Sequence, residues 1–176
     1  MSKKLSEMTL EELWALFPIV LTEHDERWAL YYEEEAAELK KLLPSAVVNH
    51  VGSTAIKGIW AKPTIDILVE VGGNLPAAAA VLKSNGWTEM SRDDRRISLN
   101  KGYTENGFAE KVFHLHLRYA GDNDEIFFRD YLNAHTEIAK EYEELKLSLW
   151  KRFEHDRDGY TAAKGAFVAK ITALKK

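Results

Sequence analysis

The chain contains no cysteine among its 176 residues. That excludes disulfides, cysteine-ligated zinc and a thiol nucleophile. No apolar run is long enough to span a membrane. A basic excess is also missing: 24 Lys and Arg against 28 Asp and Glu leave a net charge of −4. Non-specific nucleic-acid binding needs a basic footprint, so this balance argues against it while leaving room for a local basic cleft. Three familiar motifs are absent. Gly52–Gly58 lacks the spacing and the Gly-Lys-Ser/Thr ending of a P-loop, no Gly-x-Gly-x-x-Gly occurs, and there is no Gly-x-Ser-x-Gly nucleophile elbow.

What is present fits one domain, residues 1–176, with a sizeable core: 45 % of residues are hydrophobic and 30 % charged. Lys3-Lys4 before an apolar stretch faintly resembles a secretion signal, but Glu7, Glu11 and Glu12 intervene and no small-residue cleavage site follows, so a cytoplasmic home is expected. Thr9 and Glu12 form a capping box for a short helix that stops before Pro18. A second helix is expected over 23–43, ended by Pro44. Residues 46–51 and 64–71 read as strands, the second central because both its faces are apolar apart from Asp66 and Glu70. A helix over 75–85 follows, with Gly86 as its C-cap. Residues 87–90, 97–101 and 111–119 are further strands, joined by charged loops. The last third turns helical, with caps expected at one of Asp122–Asp124, at Thr136 and at Asp158. The fold class is therefore α+β (mixed α/β), a mixed sheet of about five strands between N-terminal helices and a helical C-terminal third.

Three features carry chemistry. The Gly52-Ser53-Thr54 turn lets backbone approach a ligand closely and adds two hydroxyls, and a helical turn beginning near Ala55 would attract phosphate. Asp66 is a carboxylate amid Ile65, Ile67, Leu68 and Val69, where burial is costly without a partner or a metal. A salt bridge to Lys62 or hydrogen bonds to loop amides would serve as well. The third feature is Phe113-His-Leu-His-Leu-Arg118. Alternation in a strand puts His114, His116 and Arg118 on one face, with Cα atoms about 6.6 Å apart. Two imidazoles in phase can bind one divalent metal or one phosphate, and Arg118 adds a fixed positive charge.

These residues carry a resemblance. The segment from His50 to Ile67, His114-Leu-His-Leu117, Phe128-Arg-Asp-Tyr-Leu132, Tyr142-Glu-Glu-Leu-Lys146 and the closing Tyr160, Lys164 and Phe167 resemble the GrpB family, over about Trp28–Ile171. That family usually has a proline before the second glycine, where this chain has Lys57, a change that loosens the loop or adds a phosphate contact. The resemblance implies a nucleotidyltransferase-like fold, in which a Gly-Ser turn holds a triphosphate and acids on neighbouring strands hold two magnesium ions. By position, Gly52 and Ser53 match the turn and Asp66 matches the first, catalytic acid; in such a phosphate site Thr54 would add a hydroxyl, and Lys62 and Arg118 would offset charge. Leu68 stands where the second acid belongs, and His114 or His116 stands in place of the third. Glu70 shares the face of Asp66 but lies about 13 Å further along the strand.

The implied ligand is a nucleotide or a phosphorylated small molecule. The implied cofactor is a divalent metal, magnesium or another, held by Asp66, His114 and His116. The implied activity is nucleotidyl or phosphoryl transfer. A non-catalytic module that binds nucleotide or phosphometabolite is the alternative, because some family members resemble an added domain fused to dephospho-coenzyme A kinase. A third role, oligomerisation through residues 137–174, would draw on the five tryptophans and seven tyrosines. The sequence leaves the oligomeric state open.

Overall fold

The computed structural model describes residues 3–175. Its elements run α1 (Leu10–Leu16), α2 (Arg27–Leu42), β1 (Val47–Val51), β2 (Ile65–Val71), α3 (Leu75–Lys83), β3 (Thr88–Arg92), β4 (Arg96–Thr104), β5 (Gly107–Tyr119), α4 (Asp124–Ala134), α5 (Thr136–Trp150) and α6 (Arg157–Thr172). The five strands form one mixed sheet in the order β1-β2-β5-β4-β3. β2 and β5 are parallel, and the other neighbours are antiparallel. The expected α+β class and the five-strand sheet are both present. No helix among the described residues is long and apolar enough to cross a membrane.

Pleating divides β2 and β5 between two environments. Ile65, Ile67 and Val69, with Phe113, Leu115 and Leu117, pack with Trp28 and Leu39 of α2 and Ala78, Ala79 and Leu82 of α3 in one core. The alternate positions, Asp66 and Glu70 with His114, His116 and Arg118, carry the polar groups. A second core joins Phe128 and Leu132 of α4, Tyr142 of α5 and Ile171 of α6 to Ile56 and Ile59. A third gathers Ile19, Leu21 and Tyr160.

Local rules explain most boundaries. The Glu12 amide donates to Thr9 Oγ1 at 3.1 Å and the Thr9 amide donates to Glu12 Oε2 at 3.1 Å, so the capping box forms. α2 starts at Arg27 rather than at residue 23, because the Asp25 carboxylate accepts from the Arg27 amide and pairs with its guanidinium. Gly86 adopts φ 94°, but the C-cap of α3 is Ser84, two residues earlier. α5 begins at Thr136 with no side-chain cap, and α6 is capped by Asp156, not Asp158: Asp156 Oδ1 accepts from the Gly159 amide at 2.9 Å. The largest difference lies between residues 101 and 111. The sequence reads there as a loop, whereas β4 and β5 form a hairpin closed between Thr104 and Gly107. Gly102 and Gly107, which look like loop punctuation, serve instead an irregularity in the pairing and a tight turn at φ 97° and 109°.

Candidate functional site

The parallel register of β2 on β5 sets Asp66 opposite His114 and Leu68 opposite His116. Asp66 Oδ1 lies 3.0 Å from His116 Nε2 and 3.7 Å from His114 Nδ1. A carboxylate only accepts, so His116 Nε2 is the donor in the shorter contact. On the far side of His114, Nε2 lies 2.7 Å from Arg157 Nη2. A guanidinium only donates, so that nitrogen accepts and the His114 proton sits on Nδ1, facing Asp66. The Tyr103 hydroxyl lies against the same Nε2 and accepts a hydrogen bond from Arg157.

Gly52 explains how the acid fits. It holds φ 76°, and a Cβ built there would stand 2.4 Å from Asp66 Oδ2. The glycine at this turn makes room for the carboxylate. Ser53 opens a short 3-10 turn, two residues before the expected Ala55, and its hydroxyl meets Tyr142.

Ser53, Lys62, Thr64, Asp66 and His114 form one wall of a cleft of about 190 Å³. The opposite wall comes from the C-terminal helices: Lys146 of α5, and Arg157, Tyr160, Thr161 and Lys164 of α6. Four cationic side chains thus share the cleft with one carboxylate. None of the four makes a salt bridge among the described residues. Lys146 Nζ donates to the Trp60 carbonyl at 2.7 Å, and Lys164 Nζ lies 4.4 Å over the Tyr160 ring. Tyr160 is fully buried, and its hydroxyl has no hydrogen-bond partner.

The crowding shifts the titrations. Burial, with Arg157 and Lys164 nearby, pushes Lys62 down to about 7. Burial and Lys164 push Lys146 down to about 7. Burial pushes Lys164 down to about 8, with Asp66 opposing and Arg157 adding to the shift. Burial pushes His114 down to about 3, so its ring is neutral at neutral pH. Burial opposes ionisation of Asp66, but the hydrogen bond from His116 and the electrostatics of His116 and His114, with a smaller contribution from Lys62, outweigh it and hold the carboxyl well below the usual carboxylate range.

The expected site residues divide. Gly52, Ser53, Lys62, Asp66, His114 and His116 come together. Arg118 does not join them: it is buried at the next position along the strand face, its guanidinium paired with Glu125 at 2.8 Å and Asp122 at 3.3 Å. Thr54 is also withdrawn, its hydroxyl bonded to His50 Nε2 at 2.9 Å and to the Thr64 carbonyl at 3.1 Å. Glu70 accepts from the Gly121 amide and Asn123, a structural role. Lys57 is exposed, and its amide donates to Asn133 Oδ1 at 2.9 Å, a bond that proline could not make. Lys146, Tyr160 and Lys164 stand out in the sequence only as part of the family resemblance and not as site residues, and Arg157 and Thr161 not at all. A signal existed: Tyr142-x-x-x-Lys146 and Tyr160-x-x-x-Lys164 repeat one helical spacing on two helices, which sets each lysine over its tyrosine.

The implied metal does not fit this donor set. Among the described residues no group of three His, Asp or Glu side chains is arranged to hold a metal ion. His116 spends its facing nitrogen on Asp66, His114 presents an N–H to it, and the four surrounding cations repel a divalent ion.

Sheet and helices together define the class of the molecule, a nucleotidyltransferase-like fold. The fold is similar to that of the Cid1 poly(U) polymerase crystal structure, with a TM-score of 0.50 and 13 % identity, covering 78 % of this chain and 43 % of that one. Within that class the chain belongs to the GrpB family, whose model, described as GrpB protein, matches residues 18–174. It is 36 % identical to the glutamate-rich protein GrpB of Alkalihalophilus pseudofirmus, over 87 % of this chain and 93 % of that protein. It is also similar to the crystal structure of conserved protein GrpB from Enterococcus faecalis, with a TM-score of 0.74 and 30 % identity, over 88 % of this chain and 95 % of that one.

Proposed function

We propose that the cleft binds the phosphate groups of a nucleotide or a phosphorylated small molecule, and that binding, rather than two-metal nucleotidyl transfer, is its primary role. One observation carries this reading: Lys62, Lys146, Arg157 and Lys164 reach the same cleft from three separate segments and find only Asp66 there as an acid. Mutually repelling cations held together are costly in the empty protein, and an incoming anion relieves that cost. Asp66 fixes the ring of His116 and sets a limit on how much negative charge the cleft accepts.

Binding is favoured over transfer for a specific reason. Leu68 is fully buried where the second acid would stand, so the oxygen ligands that a magnesium pair prefers are missing. Isothermal calorimetry with pyrophosphate tests the proposal. Wild type is expected to bind without added metal. Lys164→Met, which keeps the stem and removes the charge, is expected to weaken binding at least tenfold. Equal affinity in the two proteins would overturn the assignment. ATP consumption by wild type that Asp66→Asn abolishes would instead favour a transferase.

A further inference from the structure

Tyr103 stands at the junction of the cleft and a second concavity. On the cleft side its hydroxyl meets His114 and Arg157, its ring stacks on His114 at 5.5 Å, and the Arg157 guanidinium lies 5.2 Å over the same ring. On the other side Tyr103 packs against Phe17 at 4.9 Å and Phe108 at 5.3 Å, and those two rings lie 5.0 Å apart. The three aromatics, with Pro18, Ile19 and Val112, line a largely apolar groove of about 90 Å³ that also includes the exposed Glu110. The groove and the cleft share Lys62, Thr64 and Arg157 in their walls. Phe108 keeps 44 % of its surface exposed at the edge of this groove.

An apolar floor that runs into a cationic pocket across shared side chains is built for a ligand with two unlike ends. A bare phosphate would occupy one end only. We infer that the ligand is a phosphate ester whose organic part carries an aromatic ring, with the ring in the groove against Phe108 and Tyr103 and the phosphate in the cleft. This inference rests on the phosphate-binding reading above. Offset or edge contacts among aromatic rings supply the attraction at the apolar end. Arg157 sits at the seam, where its planar cation faces the Tyr103 ring and its Nε and Nη1 hydrogens are left to donate to the ester's phosphate.

Two esters of equal charge test the idea: phenyl phosphate and methyl phosphate, titrated by calorimetry at the same pH and ionic strength. Wild type is expected to bind phenyl phosphate at least tenfold more tightly than methyl phosphate. Phe108→Ala is expected to remove that preference, bringing the affinity for phenyl phosphate down to that for methyl phosphate. Ala109→Trp, which fills the groove from an exposed position on the hairpin, should do the same if Phe108→Ala lowers the melting temperature. Equal affinity for the two esters in wild type, or an undiminished preference in folded Ala109→Trp, overturns the groove assignment and leaves the phosphate reading standing. Failure of both esters and of pyrophosphate to bind overturns the phosphate reading, and this inference falls with it.

Discussion

At the scale of single residues, Gly52 and Asp66 are one unit. The glycine holds a left-handed φ and leaves space that any Cβ would take from the carboxylate. Gly52→Ala therefore meets both backbone strain and a steric overlap. Strain of this kind costs about 1–3 kcal/mol, and a thermal melt should fall by several degrees. Combining Gly52→Ala with Asp66→Ala should recover only part of the loss, because the Cβ of residue 66 still stands 2.9 Å from the added one and φ stays positive. Asp66 itself was legible in the sequence as an acid on an apolar strand. His114 and His116 were legible from strand alternation. Arg118 has the same alternation and a different fate, because Asp122 and Glu125 sit at its own level and no sequence period reports which acid a strand residue will meet.

At the scale of elements, α5 holds the segment before β2 in place. The Trp60 amide donates to Glu143 Oε1 at 2.8 Å while Lys146, one helical turn on, donates to the Trp60 carbonyl at 2.7 Å. Both side chains are buried. Removing the acceptor leaves a part-buried N–H unpaired, which costs about 1–3 kcal/mol. Glu143→Ala should lower the urea midpoint accordingly, and Glu143→Gln, which keeps an oxygen acceptor, should lower it less. Unfolding curves of the two variants decide the point, and equal loss would show that charge and not the Trp60 bond matters. Features that depend on a few adjacent residues, such as the Thr9 capping box, were readable in advance. The β4–β5 hairpin was not, because its two glycines carry the same local signal as a loop and only cross-strand pairing separates the alternatives.

At the scale of the whole molecule, the three lysines set a pH dependence. In the unfolded chain they titrate near the ordinary 10.5, and in the fold they fall to about 7, 7 and 8. Between about pH 7 and pH 10 the unfolded chain binds more protons than the fold. The stability of the empty protein from these groups therefore rises with pH across that window and is lowest below pH 7. Melting temperatures of the empty protein should rise from pH 7 to pH 9, and saturating pyrophosphate should flatten the rise by favouring the charged lysines. A flat profile without ligand would contradict the crowding of cations. Lys62 was legible beside Asp66, but Lys146 and Lys164 were not read as site residues, because they lie far from Lys62 in the chain and their meeting depends on how α5 and α6 lie across the sheet. Local pattern fixes the elements, and only the assembled molecule makes the cleft.

The irregularity in the β4–β5 hairpin has one more consequence. Four residues of β5, 109–112, stand opposite the single Gly102, and three of them border the apolar groove. The sheet register from Arg96 to Lys101 is intact beyond that point. The hairpin tip thus leaves the register of the sheet, while Tyr103 still ties it to His114 and Arg157 of the cleft. If the groove holds the organic part of a ligand, as proposed above, substitutions at 109–112 would change that wall while the pairing of β2 with β5 at Asp66 and His114 stays in register.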